Sequence, residues 1–291
     1  MRKISIFLAI MLIGSGCSKK EQPDPVAEVF KTNPVLQPAS PSFPGEVSGM
    51  ADSYTKPGFI WLLQDKDNPA ELLTISYNGE RGPTVAVTNA ENQDWEDMAI
   101  GPGPVAGKKY LYIADAGDNF AAFNKYFIYR FEEPAEGLIK TEPADKISFV
   151  YEDGLHHDSE AFLVDKDSKD IILVTKEIPS RVFVLDYPYT TTGTNIAKKA
   201  ATLAQSTITG AAQSPDGKEL LLRTYSSMYY WKRSIGQSII STLQQTPKEI
   251  RVNSEPQGES VTFKTDNSGF FTFSENAGLP LQLNLYFYPR K

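Results

Sequence analysis

The sequence predicts an all-β fold, a β-propeller of five blades of about 50 residues each, and three observations predict it. First, a short phrase recurs five times: Val47-Ser48-Gly49-Met50-Ala51, Trp95-Glu96-Asp97-Met98-Ala99, Ser159-Glu160-Ala161-Phe162-Leu163, Ile208-Thr209-Gly210-Ala211-Ala212 and Gly258-Glu259-Ser260-Val261-Thr262. Its second residues are 48, 64, 49 and 50 positions apart. Second, each phrase is followed by short runs rich in β-branched and aromatic residues, bounded by Gly, Asp, Asn or Lys clusters. Third, no stretch reads as a long amphipathic helix; only 235–245 has room for a short one. A repeat of this length made of several short strands is the pattern of a propeller, in which matching positions of every blade face a common axis.

The elements follow in order. After each phrase comes a second strand: Ile60–Leu63, Tyr110–Ile113, Ile171–Val174, Leu220–Leu222 and Phe270–Phe273. A third follows at 72–77, 126–131, 182–185, 228–231 and 281–288. A fourth is readable in the earlier repeats, as in 84–87 and 147–151. The fifth repeat reaches Lys291 after three strands, so its fourth is expected from the N-terminal side, within residues 27–40, around Val29-Phe30-Lys31 or Pro34-Val35-Leu36. Such a closure pairs the first and last blades and removes an exposed sheet edge. The 64-residue interval and the segment 234–253 leave room for a sixth blade. Ser214-Pro215-Asp216-Gly217-Lys218 is a hairpin turn.

The N-terminus reads as a targeting segment. Met1-Arg2-Lys3 is basic, Ile4 to Ile13 is apolar and too short to span a bilayer as a helix, and small residues precede Cys17, the one cysteine. These features resemble the bacterial lipoprotein signal, which implies cleavage after residue 16 and lipidation of Cys17. A single cysteine rules out an intramolecular disulfide. Residues 17–44, polar and rich in proline, read as a tether, and 45–291 as the propeller domain. A net charge of −7 without a basic stripe argues against nucleic-acid binding.

Placing the five phrases at one axis brings Ser48, Glu96, Glu160, Thr209 and Glu259 together, with Asp65, Asp115, Lys176, Arg223 and Glu275 at the ends of the second strands. Converging glutamates repel one another unless protonated, paired or metal-bound. Glu96, Glu160, Asp115 and Asp118 are the candidate metal ligands, and their hard oxygens suit Ca²⁺ or Mg²⁺. Lys176, Arg223, Glu259, Glu275 and Asp65 are the candidate ligand-binding residues, the two cations suiting a phosphate or carboxylate. Glu160 and His157 are the candidate general bases. Each has a structural reading beside it. The glutamates can staple neighbouring blades through backbone amides, Asp115-Ala116-Gly117-Asp118-Asn119 can be a tight turn, and His156-His157 can be a polar loop. Trp61, Trp95 and Trp231 are expected to pack between blades.

The strings Asp94-Trp95-Glu96-Asp97-Met98-Ala99-Ile100-Gly101-Pro102-Gly103, Ile113-Ala114-Asp115-Ala116-Gly117-Asp118-Asn119, Asp158-Ser159-Glu160-Ala161, Ser214-Pro215-Asp216-Gly217, Arg223-Thr224-Tyr225 and Gln257-Gly258-Glu259 resemble a family of secreted bacterial β-propeller lipoproteins over residues 45–290. The resemblance implies a propeller fold and an envelope address, and carries no activity with it. A more distant similarity, through blade-start glutamates and Ser274-Glu275, is to phytase-like and gluconolactonase-type propellers, whose axial carboxylates hold divalent metal near a phosphate or lactone.

Three functions follow as expectations. The first is an envelope lipoprotein, lipid-anchored in the outer membrane on its periplasmic or surface side, whose axial pocket binds a divalent cation, a small anionic ligand, or both. The second is a scaffold that binds a protein or glycan partner on its rim through tyrosines such as Tyr187, Tyr189, Tyr225, Tyr229 and Tyr230. The third is a metal-dependent phosphoesterase or lactonase.

Overall fold

A computed structural model describes residues 29–291. The expected signal peptide (1–16), the lipidation site Cys17 and the start of the tether lie outside the described residues. The fold is all-β, with one short helix among the described residues.

The first strand, β1 (Val35–Pro38), precedes the five phrase-bearing repeats, each of which opens an antiparallel meander. The first repeat forms β2 (Val47–Asp52), β3 (Phe59–Gln64), β4 (Glu71–Ser76) and β5 (Val85–Ala86). The second forms β6 (Trp95–Pro102), β7 (Lys109–Asp115), β8 (Tyr126–Glu132) and β9 (Asp145–Tyr151). The third forms β10 (Ser159–Val164), β11 (Ile171–Thr175), β12 (Arg181–Leu185) and β13 (Thr194–Thr202). The fourth forms β14 (Gly210–Gln213), β15 (Glu219–Arg223), β16 (Met228–Lys232), the helix α1 (Ile239–Leu243) and β17 (Lys248–Ile250). The fifth forms β18 (Gln257–Phe263), β19 (Gly269–Glu275) and β20 (Asn284–Pro289). The expected second, third and fourth strands are all present, within a few residues at their ends. The short helix lies within 235–245 and is capped by Ser238, whose side chain accepts from the Ser241 amide.

Four sheets result. Their orders are β2-β3-β4-β5, β14-β15-β16-β17, β1-β20-β19-β18 and an eight-stranded β10-β11-β12-β13-β9-β8-β7-β6. The eight-stranded sheet is two antiparallel meanders joined where β13 pairs parallel with β9, Thr194 to Ala197 against Ser148 to Tyr151. β1 pairs antiparallel with β20, Val35 opposite Phe287, so the N-terminal side supplies the fourth strand beside the last repeat. Phe30 adds a bridge to Arg290 and is itself buried against Phe270 and Tyr230. The expected tether is therefore packed on the domain from residue 29 through β1.

The opening strands sit side by side in a cycle: β2 beside β6, β6 beside β10, β10 beside β14, β14 beside β18, and β18 beside β2. The apolar core is divided in the same cyclic way. One cluster joins Trp61 and Leu63 to Leu111 and Tyr129. The next joins Tyr112 and Phe149 to Phe162 and Phe183, and another joins Ile172 and Val174 to Leu220 and Trp231. A fourth joins Leu221 and Met228 to Phe270 and Tyr288, and the last joins Phe271 and Phe273 to Leu62 and Leu73. Each meander is thus covered on both faces. That is why strands such as Ile171-Ile172-Leu173-Val174 are continuously apolar rather than alternating: Ile171 and Leu173 face one neighbour, Ile172 and Val174 the other. Trp61, Trp95 and Trp231 all pack in these interfaces.

Candidate functional site

The repeated phrase acquires its geometry from a backbone irregularity. The pairing of β2 with β3 shifts register between Val47 and Gly49, that of β6 with β7 between Trp95 and Asp97, that of β10 with β11 between Ser159 and Ala161, and that of β18 with β19 between Gly258 and Ser260. In each case the residue skipped is the aligned one: Ser48, Glu96, Glu160 and Glu259. A bulge of this kind leaves one residue out of the ladder and re-aims its side chain. In the fourth repeat Thr209 stands immediately before β14.

The aligned residues then divide by chemistry. Ser48 Oγ donates to the Trp95 carbonyl (2.9 Å) and Thr209 Oγ1 to the Gly258 carbonyl (2.9 Å), each reaching the residue before the glutamate of the next repeat. A glycine follows both hydroxyl residues because the neighbouring strand lies against it. A Cβ on Gly210 would sit 1.9 Å from the Glu259 carbonyl oxygen, and one on Gly49 2.7 Å from the Met98 nitrogen. At the position after Glu96 stands Asp97, wholly buried, which ties three meanders together. Its Oδ1 accepts from the Met98 amide (2.8 Å), and its Oδ2 from the Phe162 (3.1 Å) and Ala211 (3.2 Å) amides. The hydroxyls and Asp97 are the staples of this ring.

Glu96, Glu160 and Glu259 do something different. They gather with Asp65, Asp94, Asp158 and Glu275 around one end of the cycle. One carboxylate oxygen from each of Asp65, Asp94 and Glu96 lies within 4.8 Å of the others, and the same holds for Glu96, Asp158 and Glu160, so Glu96 belongs to both groups. Two ammonium groups oppose these seven carboxylates. Lys66 Nζ lies 3.6 Å from Asp94 Oδ1, and Lys176 pairs with Glu160 Oε1. The amide of Gln257 donates to both Glu259 Oε1 and Glu275 Oε2 at 2.9 Å. Among the described residues, Glu160 Oε2 and Glu275 Oε1 are buried without a hydrogen-bond donor, and Asp94 Oδ1 has only the longer ion pair with Lys66.

Buried like charges disfavour ionisation, and the site shows it. Burial, then the charges of Glu160, Asp65, Asp94 and Glu259, push the Glu96 carboxyl well above the usual range. Burial likewise raises Glu160, against the pull of Lys176, and raises Glu259, with Glu275 adding to it. Burial lifts Asp94 to about 7 against the opposing charge of Lys66, and lifts Glu275 to about 7. Asp158 is raised for the same reason, although its Oδ1 accepts from the Asp118 amide at 2.8 Å.

Of the residues singled out in the sequence, Asp65, Glu96, Glu160, Lys176, Glu259 and Glu275 come together here. Asp115 lies just behind: its Oδ1 accepts from the amides of Gln93 (3.1 Å) and Asp94 (2.7 Å), which sets the backbone of Asp94. Asp118 is spent on its own loop, accepting from Ala122 N (2.6 Å), Phe123 N (3.3 Å) and Tyr126 OH (2.7 Å) beside His156. Burial works against its ionisation, but these hydrogen bonds prevail and hold its carboxyl below the usual range. His157 is buried with both ring nitrogens engaged, Nδ1 at 2.6 Å from Glu177 and Nε2 at 3.0 Å from Asp153. Arg223 turns away from the glutamates. Its guanidinium donates to Glu255 Oε2 (2.7 Å) and to the carbonyls of Ser260 (2.7 Å) and Phe273 (3.4 Å).

Asp94, Asp158, Lys66 and Gln257 were not singled out as site residues. The signal for the two aspartates is present in the chain: Asp94-Trp95-Glu96 and Asp158-Ser159-Glu160 repeat an acid two positions before the aligned glutamate, and Gln257-Gly258-Glu259 repeats the spacing with an amide.

This donor set is all oxygen, crowded and acidic, which suits a hard divalent cation. Ca²⁺ takes six to eight oxygens in flexible geometry, whereas Mg²⁺ demands a near-ideal octahedron and keeps several waters. No protein-family model matches the chain, and no curated protein matches it.

Proposed function

We propose that this chain is a five-bladed β-propeller whose axis binds Ca²⁺ at the end carrying Glu96, Glu160 and their neighbours. The cycle of opening strands and the five cyclically shared apolar clusters support the blade count. The observation that carries the cation is the imbalance of seven carboxylates against Lys66 and Lys176, with buried oxygens on Glu160 and Glu275 that accept no hydrogen bond among the described residues. Such a cluster is costly without protons or a cation. Glu96, common to both carboxylate triads, is the ligand through which two adjacent cation positions would be joined. With cation bound, Lys176 and Lys66 flank it and favour an anionic group on a second ligand. Tyr225 faces Lys176, whose Nζ lies 5.2 Å from the ring centroid.

The address belongs to the same reading: an envelope lipoprotein anchored through Cys17, supported by the basic start, the apolar run and the small residues before that cysteine.

Calorimetric titration of the full-length protein, stripped with EDTA, tests the cation site. Saturable Ca²⁺ binding that Glu96→Gln and Glu160→Gln each weaken by about tenfold or more is the expected result. Wild-type protein that takes up neither Ca²⁺ nor Mg²⁺ would overturn the proposal and favour the scaffold reading, in which protons and lysines alone neutralise the axis.

A further inference from the structure

The opening strands have two ends, and the second is chemically unlike the first. β2, β6, β10, β14 and β18 start at the aligned residues and finish at Asp52, Pro102, Val164, Gln213 and Phe263. At about 3.3 Å per residue, Glu160 and Val164 are roughly 13 Å apart along β10. Residues of the same strands, Met98, Leu163, Val261 and Thr262 among them, border a small cavity of ≈ 30 Å³ next to that far end. At the far end is a cavity of ≈ 40 Å³ bordered by Asp52, Tyr54, Lys109, Lys166, Gln213 and Thr265.

Its charges are of the opposite kind. Lys109 and Lys166 both line it, and neither ammonium forms an ion pair or hydrogen bond among the described residues. Lys109 is partly covered, with its Nζ 4.4 Å from the centroid of the Tyr54 ring. Burial, then the charge of Lys166, depress its pKa against the pull of Glu133. Lys109, partly covered, and Lys166, exposed, repel each other at the edge of this recess, and an anion between them would relieve that repulsion.

A third donor is present. The Lys166 amide donates to Gln213 Oε1 (3.0 Å), which fixes the orientation of that side-chain amide. Its Nε2 is then buried with no acceptor. A buried donor left unmet is costly, so its persistence calls for a partner. Two carboxylates lie near the lysines, Asp52 in the lining and Glu133 behind it with its charge reaching Lys109, and both are held by other donors rather than paired with an ammonium. Asp52 accepts from Tyr77 OH (2.7 Å) and the Thr265 amide (2.7 Å). Glu133 Oε1 accepts from Ser53 Oγ (2.7 Å), the Tyr54 amide (2.9 Å), the Thr55 amide (3.3 Å) and Trp61 Nε1 (2.9 Å).

We propose that this end of the axis binds a phosphate-type oxyanion, held by Lys109 Nζ, Lys166 Nζ and Gln213 Nε2. The volume agrees with the chemistry. A water needs about 10–15 Å³ on this scale, so the recess has room for roughly three waters, about the size of one oxyanion. The molecule would then carry a cation at one end of its axis and an anion at the other.

The test uses the full-length protein in EDTA, so that no calcium phosphate interferes, with inorganic phosphate and methyl phosphate as separate probes. Saturable binding of inorganic phosphate is expected, weakened about tenfold or more by Lys109→Met and by Lys166→Met and abolished by Gln213→Glu. Glu96→Gln leaves it unchanged, which separates this site from the carboxylate end. Without phosphate, Lys109→Met and Gln213→Glu melt at or above the wild-type temperature, because each relieves the repulsion; this shows that lost binding is not lost folding. Equal binding of methyl phosphate supports the site and makes it a seat for the terminal group of a larger ligand; binding of inorganic phosphate alone supports it as a seat for the free ion. Absence of saturable binding by wild type, or variants that fold and bind phosphate with wild-type affinity, would overturn the proposal.

Discussion

Replacement of Glu275 by glutamine isolates the electrostatic cost of the carboxylate cluster. In the folded protein Glu275 titrates at about 7 against an ordinary value of 4.5, chiefly because it is buried, with Asp65, Glu46 and Glu160 adding repulsion. A carboxyl whose folded pKa is raised favours the folded state while protonated. That contribution is complete below 4.5 and is lost as pH rises through 7. A shift of some two and a half units at 1.36 kcal/mol per unit corresponds to about 3 kcal/mol. Glu275→Gln keeps the group neutral at every pH and retains an amide that can donate to Glu259, which shares the Gln257 amide with it. In EDTA at about pH 8, the variant should therefore be more stable than wild type by up to about 3 kcal/mol. At about pH 5, where wild type has lost only the first half-unit, the two should differ by less than about 1 kcal/mol. Urea unfolding at the two pH values reads this directly, as a shift in midpoint at constant slope. Parallel pH profiles for the two proteins, or a variant that is less stable at the higher pH, would refute the reasoning. Either would mean that the Glu275 carboxylate is stabilised, not strained, by its surroundings.

Three further outcomes follow from the same geometry. Ca²⁺ at a hundredfold excess over its Kd should stabilise wild-type protein by about 2.7 kcal/mol, and Glu96→Gln should remove most of that gain; melting in EDTA and in calcium decides it. Asp97→Ala leaves the buried amides of Phe162 and Ala211 without an acceptor and should destabilise by about 3–5 kcal/mol in denaturant unfolding, whether or not calcium is present. Arg223→Met strands the buried carboxylate of Glu255 and should cost about 3–5 kcal/mol; the double variant with Glu255→Leu should recover part of the loss, and calorimetry on the double variant should give a calcium affinity close to wild type.

Much of this arrangement was legible in the chain because it depends on local rules. Strands such as Tyr110–Ile113 and Phe270–Phe273 announce themselves by composition and by the turn residues around them. The recurrence of one phrase around Ser48, Glu96, Glu160, Thr209 and Glu259 reveals matched positions before any contact is known. The aspartates at 94 and 158 were equally readable as partners of those glutamates. Both stand just before β6 and β10, in the connections that enter them, where strand alternation assigns no face; the fold decides where they point.

What the sequence by itself determined is the all-β class, the order of the repeated strands and the matched positions of the aligned carboxylates, since each follows from short-range periodicity repeated along the chain. What only the tertiary structure decided is which charges meet. Lys176 and Arg223 occupy matching strand ends; yet Lys176 faces Glu160 while Arg223 is claimed by Glu255 and two carbonyls. His157 sits three residues from Glu160, yet Asp153 and Glu177 hold both its nitrogens. Lys109 and Lys166, 57 positions apart, share a recess that nothing in their neighbourhoods foretells. Side-chain pairing in a buried site is settled by competition among all groups within a few ångströms, and that set is assembled by the packing of one strand cycle, not by the order of residues along it.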